Sequence, residues 1–311
     1  MTLGQLHTFV TVARLGSVKA AAEELQVSEP AVSGAVAALR RDLGDELFVR
    51  AGGGIVLTPG GRQLSAVAAE LLGLADQARR RVREAQGEAT LLRIVATSMV
   101  SEYVAAPLLE AFTRRTPHVE VSLSVDDPAA FPALLADRRA DIALGPVPAT
   151  DAAGLESVPF LRFRVIAVAA RGHRLAGLRG LTPALLAGER WLSGPGGTAI
   201  PAARRAEQIG FPSHAAALAA VTAGDGIGAA IEHTVRDQIR RGALVPLDVA
   251  GLPAERLWHA TTLPRDRRPP AAWSLWRFVR TPEATQAMLA RSRGVPAGRF
   301  RPAVYVTLWS Q

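Results

Sequence analysis

Hydrophobic positions in the first third of the chain follow the period of a helix. One apolar face of a helix from about 3 to 15 is formed by Leu6, Phe9, Val10 and Ala13. Residues 17–43 predict two more helices, because Ser17 and Ser28 suit N-cap positions and Pro30 falls in a first turn. Only a few residues around Gln26 separate them. This pattern is typical of a helix-turn-helix, whose second helix fits a DNA major groove about 12 Å wide.

A short hairpin and a long helix are predicted next. The apolar segments 47–50 and 55–57 flank the turn Gly52-Gly53-Gly54, which is the pattern of a β-hairpin and here of a wing. Thr58 and Pro59 then provide an N-cap and a first-turn proline. The sequence therefore predicts a long helix from Pro59 to about Glu84.

Apolar residues along this long helix alternate at spacings of four and three, as in a coiled coil. They are Leu64, Ala68, Leu71, Ala75, Ala78, Val82 and Ala85. The seam predicts a homodimer, and two helix-turn-helix units in one dimer gain affinity by binding two DNA half-sites at once. The alternative is that the same residues pack on their own domain in a monomer.

From Leu91 onward, short apolar runs alternate with helical stretches, which predicts a mostly parallel sheet with helices on both faces. We expect strands at 92–96, 119–125, 141–144, 165–169 and 227–231, with another around Trp191. We expect helices at about 102–115, 129–138, 202–209, 215–223, 232–241 and 271–279. A crossover near Leu161 and a return near Thr262 favour two lobes with a ligand-binding cleft between them.

These patterns predict four regions. They are a DNA-binding domain at 1–58, a linker and dimerisation helix at 59–88, a two-lobed domain at 89–280 and a C-terminal extension at 281–311. Lobe I would hold about 89–161 and 263–280, and lobe II about 162–262.

Composition narrows the class of protein. At 311 residues and 49% hydrophobic, the chain can form two or three domains with buried cores. It has no cysteine, no long apolar run and no secretory signal, so we expect a cytoplasmic protein without disulfides or membrane contact. The net charge of +8 favours anionic partners, yet the first sixty residues hold five basic and six acidic side chains.

Signals for catalysis are missing. The six histidines are widely separated and form no metal-ligand spacing. Neither a Gly-x-Ser-x-Gly elbow nor a phosphate-binding Gly-x-x-x-x-Gly-Lys loop occurs. We therefore predict no enzyme activity, no metal and no cofactor.

Several motifs, in this order, resemble the LysR-type transcriptional regulators over nearly the whole chain. They include residues 6–10, Gly16-Ser17, Ala20-Ala21-Ala22, residues 27–33, Leu43-Gly44, residues 47–50 and residues 57–61. The resemblance implies an α+β multidomain fold: an N-terminal winged helix-turn-helix, a long linker helix and a C-terminal two-lobed α/β effector-binding domain of the periplasmic-binding-protein-like type. It also implies dimers or tetramers that bind double-stranded promoter DNA and change geometry when a small-molecule effector binds.

Candidate DNA contacts lie on the second helix of the motif and on the wing. They are Ser28, Pro30, Ser33, Gly34, Val36, Arg40 and Arg50, with the wing glycines near the DNA backbone. Glu29 and Gly34 stand where the family usually has glutamine and arginine, which weakens the expected base contacts. Arg50 is the strongest candidate for a phosphate contact, and the alternative is a salt bridge from Arg50 to Glu46 or Asp45.

Candidate effector contacts follow predicted strands. Thr97, Ser98 and Met99 stand where a helix begins, so amides and hydroxyls there could bind a carboxylate. The alternative is that Thr97 and Ser98 only cap that helix. A second loop offers Ser193, Gly196 and Thr198, although its glycines could simply form a turn, and Pro146 and Val147 would line the same cleft.

The leading hypothesis is a sequence-specific transcriptional regulator that responds to a small, anionic metabolite. A ligand-independent architectural DNA-binding protein is one alternative, which the poor reading helix supports. A solute-binding module is another, because two-lobed domains of this kind bind solutes. The absence of an export signal and the presence of the N-terminal reader argue against the second alternative.

Overall fold

The computed structural model describes residues 1–51, 54–148, 154–197 and 200–290. The chain divides into two units, each with its own hydrophobic core. The first contains residues 1–90 together with 133–140, and the second contains residues 91–132 together with 141 onward.

Three helices form the scaffold of the first unit: α1 (Leu3–Leu15), α2 (Val18–Leu25) and α3 (Glu29–Leu43). The predicted caps are present, since Ser17 Oγ accepts from Ala20 N at 3.3 Å and Ser28 Oγ accepts from Ala31 N at 3.4 Å. Gln26 ends α2 with a left-handed backbone, φ 55°. The helix-turn-helix predicted from the sequence is therefore confirmed.

The wing and the long helix follow. Strands β1 (Phe48–Ala51) and β2 (Gly54–Leu57) pair antiparallel, with Phe48 opposite Leu57. Helix α4 (Pro59–Ala85) has 27 residues, which corresponds to a length of about 40 Å. Its N-cap is Thr58, whose Oγ1 accepts from Gly61 N at 2.8 Å.

Two glycines let α4 start against the turn before the wing. A Cβ on Gly61 would lie within 3.0 Å of the Leu47 carbonyl oxygen, and one on Gly60 would meet the Asp45 carboxylate. That carboxylate is itself held, because Asp45 Oδ1 accepts from Leu47 N at 2.6 Å and from Thr58 Oγ1 at 2.7 Å. The wing and the long helix are therefore joined by close backbone packing.

The second unit alternates strands and helices. Its strands are β3 (Thr90–Ala96), β4 (Val119–Val125), β5 (Ile142–Gly145), β6 (Glu156–Ala170), β7 (Arg190–Ser193), β8 (Glu207–Gly210), β9 (Ile227–Ile231), β10 (Leu244–Leu247) and β11 (Ala254–Thr262). Its helices are α5 (Ser98–Val100), a π turn (Ser101–Ala105), α6 (Ala106–Arg115), α8 (Pro183–Leu186), α9 (His214–Ala223), α10 (Glu232–Arg240), α11 (Pro270–Phe278) and α12 (Pro282–Ala290). Helix α7 (Phe131–Ala136) begins in the second unit and continues into the segment 133–140 of the first. Within the described ranges, no helix is long and apolar enough to cross a membrane.

The sheet is mixed, which corrects the expectation of a mostly parallel one. Its strand order is β4-β3-β5-β11-β6-β9-β7-β8, with β10 paired to β6. Strands β3 and β5 are parallel, as are β7 with β8 and β9. The long strands β6 and β11, by contrast, run antiparallel to each other and to β9 and β5, respectively. Local apolar runs do not reveal this direction, because it depends on pairing between distant segments.

One predicted helix is wrong. The segment 202–209 forms a 3₁₀ turn at Pro201–Arg205 and then strand β8. Strand β8 pairs in parallel with β7, and Gln208 Nε2 donates to the carbonyls of Ala203 and Ala206 at 2.7 and 3.1 Å. Non-local pairing thus overrides the local helical preference.

Candidate functional site

Helix α3 presents its first half to solvent. Ser28, Glu29, Pro30, Ser33 and Gly34 are exposed. The opposite face is buried in the core of the first unit through Val32, Val36 and Leu39. This arrangement leaves a short, mostly polar surface on a capped helix.

Val36 does not belong to that surface. Its side chain is only 6% exposed and packs in the core with Phe9 and Leu39. The expectation that Val36 contacts DNA is therefore corrected, since a residue one turn from an exposed position can still face the core when a helix packs on two neighbours.

The two candidate arginines differ in their partners. Arg40 pairs with Glu46 at 3.5 Å. Arg50 is exposed on β1 and forms no ion pair with any described residue, while Asp45 is bound by Leu47 and Thr58. The salt bridge weighed as the alternative for Arg50 is thus absent from the described chain. Gly54 is exposed at the start of β2, whereas Gly52 and Gly53 lie outside the described residues.

Helix α4 carries two apolar stripes where the sequence predicted one seam. Leu64 and Ala68 pack on the core of the first unit, and Ala68 is fully buried. This corrects the expectation that Ala68 contacts a partner. The exposed stripe consists of Val67, Leu71, Leu74, Ala78 and Val82, with Ala75 half-buried beside it. Val67 and Leu74 were missed because spacing alone does not say which stripe the unit covers.

A cavity of about 460 Å³ lies in the second unit. It is lined by Thr97, Ser98, Met99, Val125, Asp126, Asp127, Pro128, Pro146, Phe163, Pro195, Gly196, Gly197, Arg256, Leu257 and Trp258. The structure therefore brings together five of the predicted effector residues, namely Thr97, Ser98, Met99, Pro146 and Gly196. The size suits a small metabolite.

The other predicted effector residues lie elsewhere. Val147 is 49% exposed and is not among the residues that line this cavity. Ser193 lines a smaller cavity of about 20 Å³ with Tyr103 and His214. Thr198 falls outside the described residues.

The hydroxyls at the end of β3 already have protein partners. Thr97 Oγ1 accepts from Val100 N at 3.3 Å, so Thr97 caps α5. Ser98 Oγ donates to the Pro195 carbonyl at 2.9 Å and lies 3.3 Å from His214 Nε2. These contacts join the end of β3 to the loop after β7, and Ser98 and Pro195 both line the cavity.

Glu102 makes further hydrogen bonds between distant segments in the same region. Its carboxylate accepts from the backbone amides of His214 and Ala215, at 3.0 and 2.9 Å, at the start of α9. Burial lowers the pKa of His214, and the Glu102 carboxylate opposes that shift. Burial and the same carboxylate raise the pKa of Tyr103 to about 12. The amides of α9 are thus occupied by a side chain of the protein itself.

The charged and aromatic lining of the cavity was not identified from the sequence. Asp126 and Asp127 follow β4, Arg256 and Trp258 lie on β11, and Phe163 lies on β6. The rings of Phe163 and Trp258 are 4.2 Å apart. These segments are far apart in sequence and meet only through the sheet, so no local motif marks them.

Family models match both units. The model "Bacterial regulatory helix-turn-helix protein, lysR family" matches residues 3–62, and the model "LysR substrate binding domain" matches residues 85–282. The chain belongs to the LysR family of transcriptional regulators. The fold class and the function expected from the resemblance are therefore confirmed: a DNA-binding regulator with an effector-binding domain.

Relatives of this LysR regulator are similar over almost their full length. An uncharacterized HTH-type transcriptional regulator of Mycobacterium tuberculosis is 40% identical, with 100% of both chains covered. The regulator CfxR of Cupriavidus necator is 31% identical, covering 94% of this chain and 95% of that protein. The RuBisCO operon transcriptional regulator of Allochromatium vinosum is 30% identical, covering 90% and 95%.

Solved LysR-type structures share the fold. CbnR matches with a TM-score of 0.58 at 23% identity, covering 90% of this chain and 98% of CbnR. Full-length CbnR complexed with its target DNA matches with a TM-score of 0.57 at 23% identity, covering 90% and 99%. A point variant of full-length OxyR from Pseudomonas aeruginosa matches with a TM-score of 0.61 at 20% identity, covering 90% and 95%.

Proposed function

We propose that this LysR-family regulator binds promoter DNA as a homodimer through α3 and the wing, and that a small molecule in the 460 Å³ cavity changes its action on transcription. The exposed, capped first half of α3 carries the proposal. The protein would act in the cytoplasm, where the promoter lies, as a regulator and not as a catalyst.

The proposed DNA surface consists of Ser28, Pro30, Ser33 and Gly34 on α3, with Arg50 on the wing. Arg50 is exposed and has no ion pair among the described residues, so its guanidinium can contact a phosphate. Gly34 offers no side chain to a base edge, and Glu29 repels phosphate. Affinity would therefore depend strongly on contacts with the DNA backbone. Arg40 would add a contact of this kind when its ion pair with Glu46 opens.

Binding to a labelled duplex from upstream of the gene tests this surface by fluorescence anisotropy. We expect Arg50→Ala to weaken binding to every duplex about equally and to reduce the slope of log affinity against log salt by about 1. Arg162→Ala is the matched control, because Arg162 is an exposed strand arginine in the second unit. Equal affinity of Arg50→Ala and the unchanged protein at all salt concentrations would contradict the proposed contact.

The exposed stripe of α4 supports the homodimer. Val67, Leu71, Leu74 and Val82 are 55%, 38%, 40% and 58% exposed. From Val67 to Ala78 the exposed stripe has spacings of four, three and four, as in a coiled-coil seam, and Val82 follows about one turn later. A stripe of this kind is self-complementary, so a second copy of the same helix fits it about a two-fold axis. Burying these side chains in the partner would remove apolar area from water.

Sedimentation velocity tests the dimer. We expect the double variant Leu71→Glu with Leu74→Glu to sediment as a monomer, because two buried, unpaired carboxylates per helix disfavour the seam. Leu178→Glu, at a residue that is 48% exposed in the second unit, should leave the dimer intact. A double variant that still sediments as a dimer would place the interface elsewhere.

The cavity supports the effector half of the proposal. It combines apolar surface from Met99, Phe163 and Trp258 with charged groups, as small-molecule sites do. Arg256 is the cationic lining residue, and we assign to it the anionic group expected from the sequence. Ligand binding would shift an equilibrium between arrangements of the protein, by no more than its difference in affinity for them.

A further inference from the structure

Charges of both signs line the 460 Å³ cavity without neutralising one another. Arg256 donates to the Glu255 carbonyl at 3.2 Å and forms no ion pair within the described part of the chain. Asp126 Oδ1 accepts from Asp127 N, and Asp127 Oδ1 accepts from Ala129 N, each at 2.8 Å. Oδ2 of each aspartate has no hydrogen-bond partner among the described residues. The cavity thus offers to a ligand one guanidinium that has no ion pair among the described residues, and two carboxylate oxygens.

Other places for an anion are already taken. Thr97 caps α5, and Ser98 Oγ donates to the Pro195 carbonyl. Glu102 occupies the first amides of α9. An anionic group at the end of β3 would also lie beside Asp126, whose amide donates to the Ala96 carbonyl at 3.1 Å. The remaining lining residue that favours an anion is Arg256.

The sheet places the opposite charges at opposite sides of the cavity. Asp126 follows β4, whereas Arg256 lies on β11, and the strand order β4-β3-β5-β11 separates them by three strand steps. At about 4.8 Å per step, the lateral separation of the two strands is about 14 Å. Arg256 also lies three residues along β11 beyond His259, which pairs with Gly145, and this offset adds about 10 Å along the strand direction. This separation explains why the arginine and the aspartates do not pair, and it leaves room for a ligand that contacts both.

We propose that the effector is a zwitterion of the amino acid type. Its carboxylate binds Arg256, its ammonium group binds Asp126 and Asp127, and its apolar part packs on Met99, Phe163 and Trp258. The inference rests on the proposed function, since it assigns a ligand class to the same cavity.

The net charge of the cavity lining also argues against ligands that carry two or more negative charges. One arginine and two aspartates give the lining a net charge of 1 − 2 = −1. A phosphorylated sugar or a dicarboxylate brings two or more negative charges toward the carboxylates, and like charges in one site repel. Such a ligand should bind poorly, even though Arg256 alone would attract it.

Thermal shift and titration calorimetry on the full chain test the proposal. The probes are the standard amino acids, 4-aminobutanoate and 5-aminopentanoate, each compared with the carboxylic acid that lacks its amino group. We expect at least one probe to raise the melting temperature, and its des-amino analogue to bind at least about tenfold more weakly.

Two variants test the ammonium end and the carboxylate end of the ligand separately. The double variant Asp126→Asn with Asp127→Asn keeps the Oδ1 acceptors of the two backbone amides but removes both negative charges. It should weaken amino acid binding about tenfold and leave binding of the des-amino analogue no weaker. Arg256→Gln should weaken both compounds. Urea unfolding followed by tryptophan fluorescence checks that the second unit, which contains all three residues, is folded in each variant.

Three results would overturn the proposal. They are the absence of binding by every amino acid probe, equal binding of an amino acid and its des-amino analogue, and unchanged amino acid binding in the aspartate variant. Glucose 6-phosphate and succinate complete the panel. If either of these stabilises the protein and alters DNA binding while the amino acids do not, the zwitterion class is wrong but the regulator function stands. If DNA binding itself is absent, the proposed function fails instead.

Discussion

The two units build their candidate sites in different ways. In the first, the proposed surface comes from neighbouring stretches of chain: one helix face and one hairpin, followed by one stripe on α4. In the second, the cavity is assembled from loops, strand ends and residues within β6 and β11, between Thr97 and Trp258 in the sequence. The first site therefore depends on helix caps and close backbone packing. The second depends on hydrogen bonds and ion pairs between segments that are distant in sequence.

The largest expected change in the free energy of unfolding comes from removing a buried ion pair of the second unit. Asp141 is 5% exposed and accepts from Arg93 N at 2.9 Å and from Arg93 Nη2 at 2.7 Å, which joins β3 to β5. We expect Asp141→Asn to lower the free energy of unfolding by about 3 kcal/mol, because the guanidinium loses its buried partner. Urea unfolding followed by tryptophan fluorescence reports on this unit, since Trp191, Trp258, Trp273 and Trp276 all lie in it.

An ion pair of the first unit serves as the control. Arg14 and Glu24 pair on the surface, with side chains 47% and 48% exposed. Glu24→Gln should change the free energy of unfolding by less than about 1 kcal/mol. A loss in Glu24→Gln as large as that in Asp141→Asn would remove the difference between the units.

Close packing in the first unit gives the next effect. Gly61→Ala places a Cβ against the Leu47 carbonyl, where backbone must move. We expect a loss of about 1–3 kcal/mol in the free energy of unfolding of the first unit. Far-ultraviolet circular dichroism during urea unfolding should show it, while the fluorescence transition of the second unit keeps its midpoint. No change in either signal would mean that the backbone at Leu47 can move away from the added Cβ at little cost in free energy.

Acid should affect the second unit first. Burial lowers the pKa of His214 and His259, and burial with nearby Arg236 lowers the pKa of His233 to about 4. Below the unfolded-state value of 6.5, the unfolded chain binds protons that the folded unit does not, so stability falls as pH falls toward the lowered pKa values.

Urea midpoints at pH 7 and pH 5 measure this effect. We expect the fluorescence midpoint to fall, because the free energy of unfolding decreases by on the order of 1 kcal/mol per pH unit at most for His233. His233→Gln should reduce the fall. In the first unit, backbone and side-chain hydrogen bonds from Leu47 and Thr58 lower the pKa of Asp45, so the stability gained there is lost only below about pH 4. An equal fall in both units over pH 7 to 5 would contradict the assignment.

The smallest effect is a gain. Gly34 lies in the middle of α3, and a Cβ there would meet nothing within 4 Å. Gly34→Ala should raise the free energy of unfolding of the first unit by about 0.5–1 kcal/mol, because alanine loses less backbone entropy in a helix. Circular dichroism during urea unfolding measures it. A loss of stability would show that this glycine, like Gly61, is needed for packing.

The sequence alone determined the elements of the first unit. Helices α1, α3 and α4 begin and end within one or two residues of their predicted limits, because Ser28, Thr58, Pro59 and Gly44 act on the backbone beside them. The resemblance to LysR regulators rests on the same short-range signals. The strands near Ile94, Val119 and Ile227 were also predicted, since each is a short apolar run.

Only the tertiary structure decided which faces are covered and which segments meet. The periodicity of α4 allows two apolar stripes, and packing against the first unit buries the one with Ala68 and exposes the one with Leu74. The same packing buries Val36. Strand pairing turned 207–210 into β8 and brought Arg256 to the cavity that Asp126 lines. Periodicity and caps act over a few residues, whereas burial and strand pairing depend on contacts between residues far apart in the chain.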